Sequence, residues 1–108
     1  MRTANVVVLV TCASGEEAER LARSVVEKKL AACVNVATAP VKSVYRWKGK
    51  IEMAAEFPLM MKTTRRKFLA LEKEIRRLHS YETPEILGLP IVAGSAAYLR
   101  WIAESVRV

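Results

Sequence analysis

The chain has 108 residues, with 18 lysines and arginines, 11 acidic residues and one histidine, which give a formal net charge of +7. Every acidic residue is a glutamate, so a Ser-His-Asp triad and an aspartate-rich calcium or magnesium loop are excluded. No apolar run approaches the roughly 20 residues that a membrane span needs. We therefore predict one domain, residues 1–108, in a soluble, cytoplasmic protein without a membrane segment.

The first segments of the chain predict a strand followed by a helix. Residues 5–11 (NVVVLVT) form a continuous β-branched run, which is typical of a central strand. Ser14 and Glu17 have the spacing of a capping box, so a helix should begin there. From Ala18 to Val26 the apolar residues recur on one helical face.

A long β-hairpin is predicted in the middle of the chain. Residues 33–47 and 51–61 flank a Lys-Gly-Lys turn, and apolar residues alternate with period two after it. Pro58 cannot donate to a ladder, so it should mark an edge, a bulge or the end of regular pairing. A strand of about 13 residues spans roughly 43 Å, whereas a domain of about 100 residues is only about 35 Å across. The hairpin should therefore overhang the core and expose apolar side chains, and we predict obligate self-association through it.

The remaining segments complete the predicted fold. Residues 64–79 carry apolar side chains on one helical face, and residues 85–92 read as the fourth strand, since Pro84 disfavours a helix before it. Gly94 and Ser95 open a last helix. This order predicts an α+β ferredoxin-like sandwich, βαββαβ plus a C-terminal helix, with helices on one face of an antiparallel sheet.

Six segments, in the same order and spacing, resemble the CutA family of divalent-cation tolerance proteins. They are LAACVN (30–35), YRWKGKIE (45–52), MKT (61–63), HSYETPEI (79–86), LPI (89–91) and YLRWI (98–102). The resemblance covers nearly the whole chain. It implies a ferredoxin-like subunit in a homotrimer whose hairpins pair around the three-fold axis, association with copper or another divalent metal ion, and a role in metal tolerance rather than enzymatic activity. The chain departs from the family pattern at Met53, Ala54 and Ala55, which replace an acidic run.

The topology indicates which candidate ligands can meet. Cys12 ends the first strand, His79 ends the second helix and Glu85 starts the last strand, so all three should lie at one end of the sheet. Glu56, on the upper half of the hairpin, should lie near them. Thiolate, imidazole and carboxylate together suit copper or zinc. We therefore predict Cys12, Glu56 and His79 as metal ligands, and Tyr81 and Glu85 as residues that line a pocket.

The opposite end of the sheet should hold Cys33 and Lys62. A Cys12–Cys33 disulfide is therefore not expected, because bridged Cα atoms lie within about 7 Å of each other. Free thiols suit a reducing compartment. Lys62 is a candidate for binding an anionic ligand, and its alternative role is that of a solvated lysine at a strand end.

Each candidate in the upper group also has a structural role open to it. His79 can lie at a helix end because its positive form favours the helix dipole. Cys12 can be a small buried residue. Tyr81 and Glu85 can simply hold the loop that leads into the last strand.

Two other functions are alternatives to metal binding. A trimeric small-molecule sensor that looks like the PII signalling proteins, with ligand clefts between subunits, is the alternative. The chain has no glycine-rich phosphate loop, which counts against a nucleotide ligand. RNA binding would need exposed aromatic side chains on the sheet, and the first and third strands lack that array, so we predict no nucleic-acid partner.

Overall fold

The computed structural model describes residues 3–108. The chain runs through β1 (Asn5–Cys12), α1 (Gly15–Glu27), β2 (Cys33–Val36), β3 (Val41–Trp47), β4 (Lys50–Thr64), a 3-10 turn (Arg65–Lys67), α2 (Phe68–Leu78), β5 (Ile86–Pro90) and α3 (Ala96–Ser105). The predicted ferredoxin-like α+β order with an added C-terminal helix is therefore confirmed. Residues 33–47 differ from the prediction, because they form two strands instead of one. None of the helices within residues 3–108 has the length and apolar character required to cross a membrane.

The strands form an antiparallel sheet in the order β2–β4–β1–β5, and β3 pairs with the far half of β4. β1 lies between β4 and β5, as its apolar sequence predicted. Val6, Val8 and Val10 of β1 are buried with Leu21 of α1 and Leu71 of α2 in the main hydrophobic core. One face of the sheet is thus covered by α1 and α2.

The third helix lies on the opposite face of the sheet. Asn5 is on the side of β1 that points away from the main core, and its Nδ2 donates to the Leu99 carbonyl oxygen at 3.2 Å. Ile102 of α3 is buried, but outside the main core. The prediction of helices on one face therefore holds for α1 and α2 and not for the added helix. Beyond α3 this face stays open, and Met60 and Leu87 are 47% and 54% exposed.

The hairpin overhangs the rest of the sheet, as predicted. β4 is 15 residues long and pairs with β1 only over residues 57–64, so residues 50–56 pair with β3 alone. The longest dimension of the described chain is 43 Å. Val44, Ile51 and Met53 on the overhang are 62%, 62% and 67% exposed. The apolar ribbon expected from the sequence is therefore open to solvent in the single subunit.

A two-residue turn closes the hairpin. Lys48 and Gly49 have φ values of 51° and 81°, which match the type I′ turn that suits the right-handed twist of two short-linked strands. Gly49 adopts this conformation without cost, whereas Lys48 does so at a small one. The turn fixes the register of β3 on β4.

Pro58 lies where the pairing on one edge of β4 changes partner. Pairing with β2 stops at Val36 opposite Leu59, and pairing with β3 starts at Val41 opposite Glu56. The imide nitrogen of Pro58 thus falls in the gap between the two partners, where no donor is needed. Of the three predicted alternatives, an edge, a bulge or the end of regular pairing, the structure shows the last on one edge of β4 only, because pairing with β1 continues through Thr11 opposite Pro58.

A buried carboxylate joins the two core helices. Glu74 Oε2 on α2 accepts from Lys28 Nζ at 2.8 Å, from Ser24 Oγ at 2.8 Å and from Arg77 Nη2 at 2.7 Å. Its side chain is only 10% exposed, whereas Lys28 and Arg77 are more than half exposed. The hydrogen bonds from Arg77 and Lys28 hold the pKa of Glu74 well below its usual range.

We expect Glu74→Gln to lower the free energy of unfolding at pH 7 by about 1–2 kcal/mol, because an amide cannot compensate the two cations. The folded-state pKa of Glu74 is lowered, so its stabilisation is fully present above the ordinary pKa of 4.5. It is lost as the pH falls toward the folded-state pKa. Urea unfolding of both proteins between pH 7 and pH 3 should therefore show a difference that shrinks with acid.

The control for this comparison is Glu19→Gln. Glu19 pairs with Arg23 at 3.5 Å on the solvent side of α1, where both side chains are well exposed. Removing that charge should change the stability by less than about 0.5 kcal/mol. If Glu74→Gln costs no more than Glu19→Gln, the buried bridge between the helices does not carry the stability assigned to it.

Candidate functional site

A cleft of about 730 Å³ opens at the upper end of the sheet, the end at which β1 finishes. β1 stops at Cys12 while β4 continues into the hairpin, so the space beside the upper part of β4 is not filled by a strand. The hairpin forms one wall and the segment between α2 and β5 forms the other. The lining residues are Thr11, Ser43, Val44, Tyr45, Trp47, Glu56, Ser80, Tyr81, Glu82, Thr83 and Glu85.

Glu56 and Tyr81 meet at the floor of the cleft. Glu56 Oε2 lies 3.5 Å from Thr11 Oγ1, which can donate to it. Burial raises the pKa of Tyr81, and a hydrogen bond to the Glu56 carboxylate raises it further. Tyr81 of the loop and Glu56 of the hairpin therefore lie close together, one on each wall of the cleft.

His79 is buried behind the cleft, and both of its ring nitrogens are engaged. Nε2 lies 2.7 Å from the Thr11 carbonyl oxygen, and Nδ1 accepts from the Tyr81 backbone N–H at 3.0 Å. This network assigns the ring hydrogen to Nε2. The ring centroid lies 4.8 Å from that of Tyr81. His79 thus ties the end of β1 to the loop after α2 and positions Tyr81.

Glu17 holds the same loop from the first turn of α1. Its Oε1 accepts from Ala13 N at 3.1 Å, and its Oε2 accepts from Ser80 N at 2.7 Å. His79 Nδ1 lies 3.8 Å from Glu17 Oε2. Burial by itself would raise the pKa of Glu17, but the backbone hydrogen bonds from Ser80 and Ala13, with His79 nearby, lower it. The carboxylate is therefore a fixed acceptor between two loops.

The capping box is confirmed in part. Ser14 is the N-cap, and its Oγ accepts from Glu17 N at 3.1 Å. The Glu17 carboxylate does not return to the Ser14 backbone, because it accepts from Ala13 and Ser80 instead. Ser80 is distant in sequence, so no local pattern could have indicated this contact.

Cys12 lies in the main core and not in the cleft. Its side chain is fully buried among apolar residues. Burial raises the pKa of its thiol to about 12, with smaller contributions from the charges of Glu17 and Glu56. A protonated, enclosed thiol is a poor metal ligand. This arrangement matches the structural role weighed for Cys12 in the sequence.

Lys62 lies at the opposite end of the sheet from the cleft. It pairs in register with Cys33 of β2, and its Nζ donates to Asn35 Oδ1. Cys12 and Cys33 are both free. Lys62 is therefore separated from Tyr81 and Glu85, which share the cleft lining.

The fit of a metal ion can be judged from these contacts. Among residues 3–108, no three His, Cys or Glu side chains converge in a way that could hold a metal ion. His79 has no free nitrogen, and Cys12 is enclosed. The side chains left to coordinate an ion in the cleft are the carboxylates of Glu56, Glu82 and Glu85. A single subunit thus offers carboxylate oxygen but no complete set of ligands.

Comparisons with known proteins give a consistent result. A family model described as CutA1 divalent ion tolerance protein matches residues 6–105. The chain is 48% identical over 99 residues to the divalent-cation tolerance protein CutA of Archaeoglobus fulgidus, covering 92% of this chain and 95% of that protein. It is 45% identical over 97 residues to the protein CutA homolog of Xenopus laevis, covering 90% of this chain but only 64% of that protein. The solved structure of the periplasmic divalent cation tolerance protein CutA from A. fulgidus aligns with a TM-score of 0.91 and 46% identity, over 95% of this chain and 99% of that one. These names describe a tolerance protein and no chemical reaction.

We expect Glu17→Ala to loosen the loop that carries Tyr81, because it leaves the Ala13 and Ser80 N–H groups without their acceptor. The free energy of unfolding should fall by about 1–3 kcal/mol, and the Ser80 amide should exchange faster with deuterium. Glu16→Ala, one residue earlier and exposed, is the matched control and should leave that amide unchanged. Equal exchange at Ser80 in both variants would contradict the role assigned to Glu17.

Proposed function

This chain belongs to the CutA1 divalent ion tolerance protein family, as the six sequence segments predicted, and we propose that it serves divalent-cation tolerance as a homotrimer that binds a divalent metal ion in the upper cleft. Copper is the ion we favour among those that such a site could take. The observation that carries the proposal is the group of carboxylates, Glu56, Glu82 and Glu85, that lines one ligand-sized cleft. We propose a binding protein rather than an enzyme.

The proposed ligands differ in part from those predicted by the sequence. Glu56 remains, and Glu82 and Glu85 join it; Glu85 was predicted only as a residue that lines the pocket. Cys12 and His79 are not among the proposed ligands, because the thiol is enclosed in the core and both imidazole nitrogens are engaged. Since one subunit offers only carboxylate oxygen, we propose that water or a neighbouring subunit completes the coordination, and that the affinity is modest.

The homotrimer is proposed from the hairpin and from the family resemblance. Large apolar side chains are exposed along the overhang, and Met60, Leu87 and Leu89 are exposed on the open face of the sheet. Contiguous apolar surface of this kind is typical of an interface between subunits. Burying it in a second and third copy would remove the aggregation hazard of an exposed hairpin.

A second candidate function is supported by the size of the cleft. About 730 Å³ is far more than a metal ion occupies and lies within the range of about 300–1,000 Å³ that is usual for small-molecule sites. A trimeric sensor of a small molecule, similar to the PII proteins, is therefore the alternative. We propose a cytoplasmic location for either function, because both cysteines are free and a reducing compartment keeps them so.

Calorimetric titration of the metal-free protein with Cu²⁺, Zn²⁺ and Mn²⁺ tests the metal site. We expect one saturable site per subunit, weakened about tenfold or more by Glu85→Gln and by Glu56→Gln. Glu19→Gln, which removes an exposed charge from α1, should leave the affinity unchanged. Cys12→Ser distinguishes the carboxylate ligands from the ligand set predicted by the sequence, which includes Cys12. Unchanged affinity supports the carboxylates as ligands, whereas loss of binding supports the Cys12 thiol as a ligand. If none of these ions binds saturably, the proposal that the protein binds a metal ion directly is wrong.

A substitution that introduces a charged side chain on the overhanging hairpin tests self-association. Met53→Lys should shift the mass measured by light scattering from three chains toward one, because a lysine at a closed apolar contact is left without a partner. Leu69→Lys is the matched control, since Leu69 is 75% exposed on α2, away from the hairpin. A trimer that survives Met53→Lys unchanged, or a wild-type monomer, would rule out assembly through the hairpin.

A further inference from the structure

We propose that the upper cleft binds a small organic cation, a protonated amine or a guanidinium, between carboxylates and aromatic rings. Such binding uses the cleft of the proposed function but requires no metal ion. The proposal names the chemical class of ligand that this cleft would bind if the protein is a small-molecule sensor.

The first observation is the charge of the cleft. The protein carries a formal net charge of +7, yet Glu56, Glu82 and Glu85 line the cleft and none of the described lining residues is a lysine or an arginine. A concave surface of one sign concentrates its field and attracts ions of the opposite sign. An anionic ligand would find no cation to pair with on these walls. A cationic ligand is therefore favoured.

The second observation is the aromatic character of the same walls. Tyr45 and Trp47 of the hairpin face the cleft together with Tyr81 of the loop. Aromatic faces attract ammonium and guanidinium groups that come within about 6 Å of the ring centroid. Lys48 Nζ lies 5.8 Å from the Trp47 centroid, so a ligand cation would compete with this lysine at that ring, and Tyr45 and Tyr81 are the aromatic side chains left to it. Aromatic rings are not ligands for a metal ion, so they indicate an organic cation.

The third observation is the size and donor pattern of the cleft. Its volume of about 730 Å³ leaves room for an organic molecule as well as its charged group. An ammonium group has three donors and no acceptor, and ionised carboxylates only accept. The Glu56 carboxylate lies against Thr11, whose Oγ1 is 3.5 Å from Oε2. A carboxylate held in this way is preorganised to receive a further donor from a ligand.

Titration of the 108-residue chain with spermidine, followed by calorimetry at low salt, tests the proposal. We expect saturable binding that weakens about two- to fivefold in Glu82→Gln and again in Glu85→Gln. Tyr45→Leu should weaken it by a similar factor, and added salt should weaken it in all proteins. AMP, tested as an organic anion, should not bind. Glu19→Gln is the control for general loss of negative charge, and the mass of each variant is checked by light scattering.

The outcomes separate this proposal from the metal site. If spermidine binds, the cleft variants weaken its affinity and Cu²⁺ does not bind, the organic-cation proposal is supported and the metal-site proposal is wrong. Cu²⁺ binding without spermidine binding overturns the organic cation and leaves the metal. Spermidine binding that Glu19→Gln weakens as much as Glu82→Gln, or that Tyr45→Leu leaves unchanged, also overturns it, because charge attraction alone would then explain the affinity.

Discussion

The unequal length of β1 and β4 is the constraint on which the rest of this molecule depends. The two strands pair from one end of the sheet, but β1 stops opposite Phe57 while β4 continues to Lys50. The overhanging part of β4 can pair only with β3, so a free hairpin is unavoidable. The space left beside it becomes the upper cleft. The hairpin surface proposed to contact other subunits and the cleft that can hold a ligand thus both result from the unequal length of β1 and β4.

A second set of contacts fixes the other wall of the cleft. His79 and Glu17 bind backbone atoms of the loop that carries Tyr81, and both are buried. Neither residue touches the cleft lining through a free polar atom, yet the position of Tyr81 depends on both. The only histidine in the chain therefore serves the site by positioning a neighbour.

The parts of this structure that could be predicted from sequence are those with a local signal. Apolar patterns indicated the three helices and the strands except for the break between β2 and β3, and Pro58 indicated a change of pairing. Topology placed Glu56 and Glu85 at one end of the sheet. The contact of Glu17 with Ser80 has no local signal, because 63 residues separate the two. The same holds for the face on which α3 packs, which depends on how complete elements fit together.

β4 is also one unbroken strand that takes part in two ladders, and this limits where the chain can accept insertions and deletions. Side chains alternate along one continuous strand from the hairpin to the core. Deletion of one residue between Glu56 and Leu59 would turn the whole hairpin over, and Tyr45 and Trp47 would leave the cleft. The link between β2 and β3 lies outside both ladders and can absorb insertions. Among relatives, insertions and deletions should therefore occur in that link and be absent from β4.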